Sequence, residues 1–362
     1  MKIFVDAHKF DHSFQGTSTY IKGLYNALVK YDDVEITLCA NDIDNLKENF
    51  KDKRFKFIKS EAKSKIKRLG IEYPLILKRG KYDFAHFQYI VPPIKFCKYI
   101  NTIHDLLFLE FKDYFPWQYR LINGTLFRIS AFMSEIVLTV SAYSKKSVNQ
   151  IYKIPLEKIF ITNNAVQSIP SEKVDIQKKY GLTNYILYVS RFEPRKNHLL
   201  LLKAYLESNL FSKGYELVFI GTKKEPIEID AYNNLIKNIP LNIKEKVKFY
   251  ESLNVNELNN FYNQASCFVF PSVAEGFGIP PLEAAINNCK VLCSNATAMA
   301  DFDFFKYRFN PDDFEDFKNQ LNRILEDKDY PYDNIRNKIQ LKYNWDRIAF
   351  EFYQVLKEKL CK

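Results

Sequence analysis

Short apolar runs recur along the whole chain, separated by stretches with the period of a helix. Ile3–Val5, Ile36–Cys39, Phe55–Ile58, Phe84–Phe87, Tyr99–Ile103, Ile136–Val140 and Ile159–Thr162 form a first series. Tyr185–Val189, Glu216–Ile220, Val247–Tyr250, Cys267–Phe270 and Val291–Cys293 form a second. Helical segments, such as 18–30, 117–133 and 142–152, lie between them. Runs this short and this apolar read as strands covered on both faces. Strands that alternate with helices form parallel sheets flanked by helices. A chain of 362 residues is too long for one such core and predicts two. The polar stretch VQSIPSEKVDIQKKY, 166–180, carries Pro170 and is where the hinge is placed. The expected domains are therefore 1–168 and 169–342, followed by a carboxyl-terminal helix over 343–362. That helix sets Trp345, Ile348, Phe352, Leu356 and Leu360 on one face and could pack back on the N-terminal domain.

Charge narrows the partners. Lys and Arg number 53 against 43 Asp and Glu, a net +10 with a pI near 9.0, which suits a phosphate-bearing partner. The excess is mostly lysine, and no arginine-rich or aromatic-interleaved run reads nucleic acid, so none is expected. Cys39, Cys97, Cys267, Cys289, Cys293 and Cys361 lack zinc spacing and read as free thiols in a reducing compartment. The start MKIFVDAHKF meets Asp6 too early for a signal peptide. No apolar run approaches the ~20 residues of a membrane span, so a cytoplasmic protein is expected. Residues 51–81 hold twelve Lys/Arg against three Asp/Glu, with Ile66, Leu69, Ile71, Leu75 and Ile76 interspersed. Such a segment suits peripheral contact with anionic lipid, on the inner face of the plasma membrane, or equally a solvated basic face over a core helix.

Ligands of open parallel sheets bind beyond the carboxyl ends of the strands. Four candidate sites fall there: 15–20, 104–105, 190–197 and 275–283. In the last, EGFGIPPLE follows a strand ending at Pro271, and Pro280–Pro281 suit a first helical turn. Gly276 and Gly278 let an oxygen-rich ligand approach backbone N–H groups at the helix start. Glu275 and Glu283 could both accept from sugar or ribose hydroxyls, or be solvated glutamates beside an ordinary turn. In SRFEPRKNHL, Arg191 leaves a strand and Lys196 starts a helix; both could converge on one diphosphate, or the stretch could be a basic helix entry with solvated side chains, as Arg195 could be in either case. In TIHDL, His104 could bond a hydroxyl or assist proton movement, or be structural. In QGTSTY, Gly16 could open N–H groups to a ligand, or Thr17 or Ser18 could merely cap the helix.

Together these stretches resemble the retaining nucleotide-sugar glycosyltransferases of family 4 (glycosyltransferase group 1), in a mannosyltransferase-like subgroup. TIHDLLFLEFKDYFP, VSAYSKKSV, IFITNNAV, YVSRFEPRKN and FVFPSVAEGFGIPPLEA carry the likeness in chain order. The resemblance implies the α/β GT-B fold: two Rossmann-like, doubly wound domains facing a central cleft, the first for the acceptor and the second for the donor. It places Arg191 and Lys196 on the donor diphosphate, and Glu275 with Gly276, Phe277, Gly278 and Ile279 at the donor sugar. Glu283 would meet the ribose, Gly16 and Ser190 would also line the donor site, His104 would lie beside the sugar, and Asp105 would support it. His104, Arg191, Lys196 and Glu275 would be catalytic. Ser190 stands where glycine is common, NNCKV (287–291) replaces Gly-x-Pro, and Asp301 stands where glutamate is usual.

The implied reaction is transfer of a hexose, with mannose from GDP-mannose as the first expectation. The acceptor is expected to be a glycan or lipid-linked oligosaccharide of surface polysaccharide synthesis. No cofactor is expected, and no metal: Asp301-Phe302-Asp303 imitates a metal-binding motif, but cationic side chains serve the diphosphate instead. The alternatives are a non-catalytic nucleotide-sugar-binding protein, a phosphorylase or a nucleotide-sugar epimerase on the same architecture.

Overall fold

A computed structural model describes residues 1–11, 16–167, 172–251 and 253–361. The chain divides into two compact units, one of Met1–Ala165 with Tyr343–Lys362 and the other of Val166–Lys342.

The first unit holds a seven-stranded sheet in the order β3-β2-β1-β4-β5-β6-β7. Its strands are β1 (Lys2–Asp6), β2 (Glu35–Ala40), β3 (Lys56–Lys59), β4 (Phe84–Gln88), β5 (Lys98–Thr102), β6 (Ile136–Thr139) and β7 (Ile159–Ile161). The second holds six strands in the order β10-β9-β8-β11-β12-β13. These are β8 (Tyr185–Val189), β9 (Glu216–Ile220), β10 (Val247–Tyr250), β11 (Cys267–Phe270), β12 (Val291–Ser294) and β13 (Tyr307–Phe309). The strand pairings are parallel, for instance β1 with β4 and β8 with β11. Both sheets are therefore doubly wound, and each reverses direction once, at β1/β4 and at β8/β11.

The apolar runs become strands because helices cover both sheet faces; β6 and β11 are buried at every position. The strand β13 was not anticipated, since YRF is only three residues long with a charge at its centre. The stretch expected as hinge contains a five-residue helix, Ile176–Tyr180, between an Asp175 cap and Gly181 at φ 74. The helix Gly16–Leu28 begins at Gly16 itself; of QGTSTY, Gln15 lies outside the described residues. The last helix, Trp345–Cys361, belongs to the first unit and packs on Gly16–Leu28. There the Trp345 ring lies so close over Gly23 that a side chain at 23 would overlap it.

All six cysteines are free thiols. Among the described residues, no helix is long and apolar enough to cross a membrane.

Candidate active site

Two loops meet at the β8/β11 switch point of the second unit. The first leaves β8 as Ser190-Arg191, and Pro194–Lys196 then forms a single 3-10 turn; the helix starts only at His198. Lys196 therefore precedes the helix rather than beginning it. Tyr188 OH donates to Lys196 O at 2.6 Å, and Asn197 accepts the left-handed φ of 58° that redirects the chain. The second loop follows β11. Its Val273 N–H donates to Arg195 O at 2.9 Å, which ties the two loops together.

This tie brings an ion network into register. Lys196 Nζ lies 2.5 Å from Glu275 Oε1, and Arg195 Nη1 lies 3.3 Å from Glu275 Oε2. Glu193 bridges onward, 2.6 Å from Arg195 and in contact with Arg191, whose Nη1 lies 3.0 Å from Glu228 Oε1. Both Glu275 oxygens are thus taken by cations. Burial would raise its pKa, but the Lys196 and Arg195 charges outweigh burial and hold it at about 2. Burial pulls the Lys196 pKa down from the usual lysine value, opposed by the Glu275 charge. An ammonium has three N–H donors, and Glu275 accepts one of them.

Arg195, expected to be solvated, is not: its side chain is 12% exposed and bonds Glu193, Glu275 and Ala274 O. Its packing follows from the 3-10 turn, which points it at the β11 loop instead of along a helix surface. Arg191 is different, with a side chain 57% exposed beyond the strand end. Glu228, which sequence reasoning passed over, is buried; its Oε2 accepts Lys224 N–H at 2.8 Å while Oε1 receives Arg191. The pattern EPIE at 225–228 was a legible capping signal, with Pro226 opening the helix Pro226–Lys237. Its link to Arg191 was not legible, because the two lie on different loops. Gly221 was also missed: an added Cβ would stand 1.8 Å from Ser190 O, so only glycine lets β9's end pass this loop.

EGFGIPPLE forms the loop and helix start expected of it, with the helix at Ile279–Ile286. Gly278 has φ 94°, strained for any other residue, and Phe277 is buried against Phe302, 5.7 Å between rings. Gly276 is buried. Thr297 Oγ1 accepts the Glu275 N–H at 2.9 Å, a partner the sequence did not indicate. Glu283 is half-buried in the helix; burial raises its pKa, and Tyr262 OH donates to it at 3.2 Å. Asp301 closes the turn Thr297–Asp301 and Phe302 is buried between it and an exposed Asp303. Among the described residues, no group of three or more His, Cys, Asp or Glu could hold a metal ion.

In the first unit, His104 and Asp105 follow β5. His104 Nε2 donates to Gln88 Oε1 at 2.9 Å, and its ring meets Tyr20 edge-on at 5.1 Å. Burial, with the nearby Lys9 charge, lowers its pKa to about 4, so at neutral pH Nδ1 carries a lone pair that can accept from a hydroxyl. Asp105 Oδ1 accepts Leu107 N–H at 3.2 Å. Gly16 is exposed at its helix start.

Two family descriptions match, in tandem. Glycosyl transferases group 1 matches residues 171–341, and Glycosyltransferase Family 4 matches residues 14–168. The chain belongs to the group 1 glycosyltransferases. Among the relatives of this glycosyltransferase is the O-antigen chain mannosyltransferase RfbU of Salmonella typhimurium, 28% identical over 67% of this chain and 68% of that one. O-antigen chain mannosyltransferase B of Escherichia coli is 27% identical over 60% of each. The fold is that of GT-B glycosyltransferases. Anabaena HepE, solved in complex with UDP-glucose, superposes with a TM-score of 0.73 at 15% identity, covering 99% of this chain and all of that one.

Proposed function

We propose that this glycosyltransferase is a retaining hexosyltransferase that moves mannose from GDP-mannose to a glycan or lipid-linked oligosaccharide of surface polysaccharide synthesis. The observation that carries this is the buried Lys196, held charged by Glu275 at the β8/β11 switch point with Arg191 close by in the same ion network. The names of the two mannosyltransferase relatives support the sugar.

The reaction breaks the bond between the anomeric carbon and the donor diphosphate, and negative charge grows on the leaving oxygen. Lys196 supplies a fixed point charge there and Arg191 a planar fork, both in place before the bond breaks. Such preorganisation needs counter-ions, a role that Glu275 fills for Lys196 and Glu228 for Arg191. The acceptor oxygen bonds to the anomeric carbon on the face the diphosphate leaves, and its proton passes to the leaving oxygen; configuration is retained. Neutral His104 accepts from a sugar hydroxyl through Nδ1. Glu283 accepts from the ribose, with Tyr262 steadying its carboxylate. The cations carry the diphosphate without a metal.

Binding to a membrane surface completes the proposal. Ile66 is 84% exposed and Ile71 61%, with Leu75 also exposed on the basic segment, although Leu69 belongs to the core. The helix Trp117–Met133 has Arg120 and Arg128 but no acid, and it exposes Trp117, Leu121, Ile122, Ile129 and Phe132. Apolar side chains among cations suit an anionic bilayer. Flotation with anionic vesicles at low salt, absent with neutral ones, is the expected result; equal recovery with both opposes it.

A panel of nucleotide sugars, with excess chelator present, tests the reaction. GDP-mannose should be turned over, and the α-configured donor should give an α-mannoside by NMR. Turnover of other donors only, a β product, or a metal-reversible loss would each remove the corresponding part of the proposal.

A further inference from the structure

The first unit has its own cavity at the β1/β4 switch point, of 310 Å³. Lys9, Lys65 and Arg68 line one side of it, and Phe108, Phe115 and Tyr119 are also in its wall. Lys9 comes from the turn His8–Asp11 after β1, while Lys65 and Arg68 come from the helical turns before Tyr73. None of the three makes an ion pair among the described residues, and the Arg68 Nε atom is buried with no hydrogen-bond partner. The contrast with the second unit is direct, because Arg191, Arg195 and Lys196 each have a carboxylate there.

Two carboxylates share the cavity, but both are already engaged. Asp6 Oδ1 accepts from His8 N, from His8 Nδ1 at 2.9 Å and from Tyr73 OH at 2.7 Å, and Asp105 accepts from Leu107 N–H. Partial burial lowers the pKa of both lysines; for Lys9 the charge of Asp6 opposes this and that of Arg68 adds to it, and for Lys65 the charges of Arg68 and Lys9 add to it. The charge of Asp6 offsets part of this, but three cations against two carboxylates leave an excess of positive charge in the recess, which an entering anion would offset.

We propose that Lys9, Lys65 and Arg68 form a binding site for a phosphate or diphosphate group, and that the aromatic wall receives the rest of the molecule carrying it. As the site of a phosphate-bearing acceptor, this rests on the glycosyltransferase reading; as an anion site it does not. Two lysines and an arginine supply both point charges and a bidentate fork for phosphate oxygens. The rim favours a lipid-borne phosphate. Ile66, 84% exposed, stands between Lys65 and Arg68 in the chain, so an apolar side chain adjoins two of the cations.

Lysine acylation of the whole protein, read residue by residue by mass spectrometry, tests the site. The probes are inorganic diphosphate, farnesyl diphosphate and farnesol, with GDP as the control for Lys196. Both diphosphates should protect Lys9 and Lys65. Protection by farnesyl diphosphate at a concentration roughly tenfold lower than inorganic diphosphate identifies a lipid carrier; equal concentrations identify a phosphate group without one. Lys65→Gln, at an exposed position that spares the fold, should raise the concentration protecting Lys9 by about tenfold. No protection of Lys9 and Lys65 by either diphosphate, or protection by farnesol as strong as by farnesyl diphosphate, overturns the anion site. Protection of Lys196 by GDP is read separately, so loss of one assignment leaves the other standing.

Discussion

Glu275 lies between two cations whose side chains are only 11% and 12% exposed, and this determines what its replacement does. Glu275→Gln leaves Lys196 buried without its counter-charge and Arg195 with Glu193 alone, which should cost about 3 kcal/mol or more. Thermal unfolding followed by a probe in the second unit should show that loss alongside a fall in kcat. Glu283 contributes differently, as an acceptor for a ribose that changes little during reaction. Glu283→Gln should weaken GDP binding by roughly 10–150-fold, about 1.5–3 kcal/mol, with little loss of stability. Calorimetric titration decides it, and unchanged GDP affinity would remove Glu283 from the ribose. At this scale the sequence was readable where a residue type is rare and its neighbours unusual. Gly278 between two glutamates stood out for that reason, and Lys196 for its place between a strand end and a helix. Arg195, Glu228 and Thr297 did not, since each acquires its role from a partner on another loop, and no local pattern records which solvated-looking side chain will be buried.

The elements were legible because strands covered on both faces must be continuous apolar runs, and those runs need no partner to be recognised. The strand β13 escaped because a three-residue edge strand with Arg308 at its centre has neither a run nor an alternation. The turn at Pro194–Lys196 escaped because a 3-10 turn and a first helical turn share the same residue preferences. Loop packing between elements is where small changes should matter. Gly221→Ala puts a methyl group against the Ser190 carbonyl and must move the loop that presents Arg191. A loss of about 1–3 kcal/mol in stability is expected, together with weaker GDP binding. Urea unfolding and titration measure both, and an unchanged variant would mean that this loop does not position Arg191.

On the scale of the whole molecule, acid should act in two windows. His86, His104 and His198 have pKa values lowered, chiefly by burial, to about 3, 4 and 3 from the ordinary 6.5. An unfolded chain therefore binds more protons than the folded one below 6.5, and their contribution, fully present above that pH, is lost as pH falls toward 4 and 3. Asp6 and Glu275, both held at about 2, add a second loss as pH falls below the ordinary carboxyl range. Urea midpoints should decline from about pH 6.5 downward, and His86→Gln should flatten the upper part of that decline. A flat profile down to the carboxyl range would mean that these histidines are not held neutral. The central claim is that Lys196 and Arg191 carry the leaving diphosphate, and kcat/KM with GDP-mannose for Lys196→Ala and Arg191→Ala tests it most directly. Each variant, shown to be folded, should lose roughly 10²–10³-fold; turnover within about threefold of the unsubstituted protein in both would contradict the account.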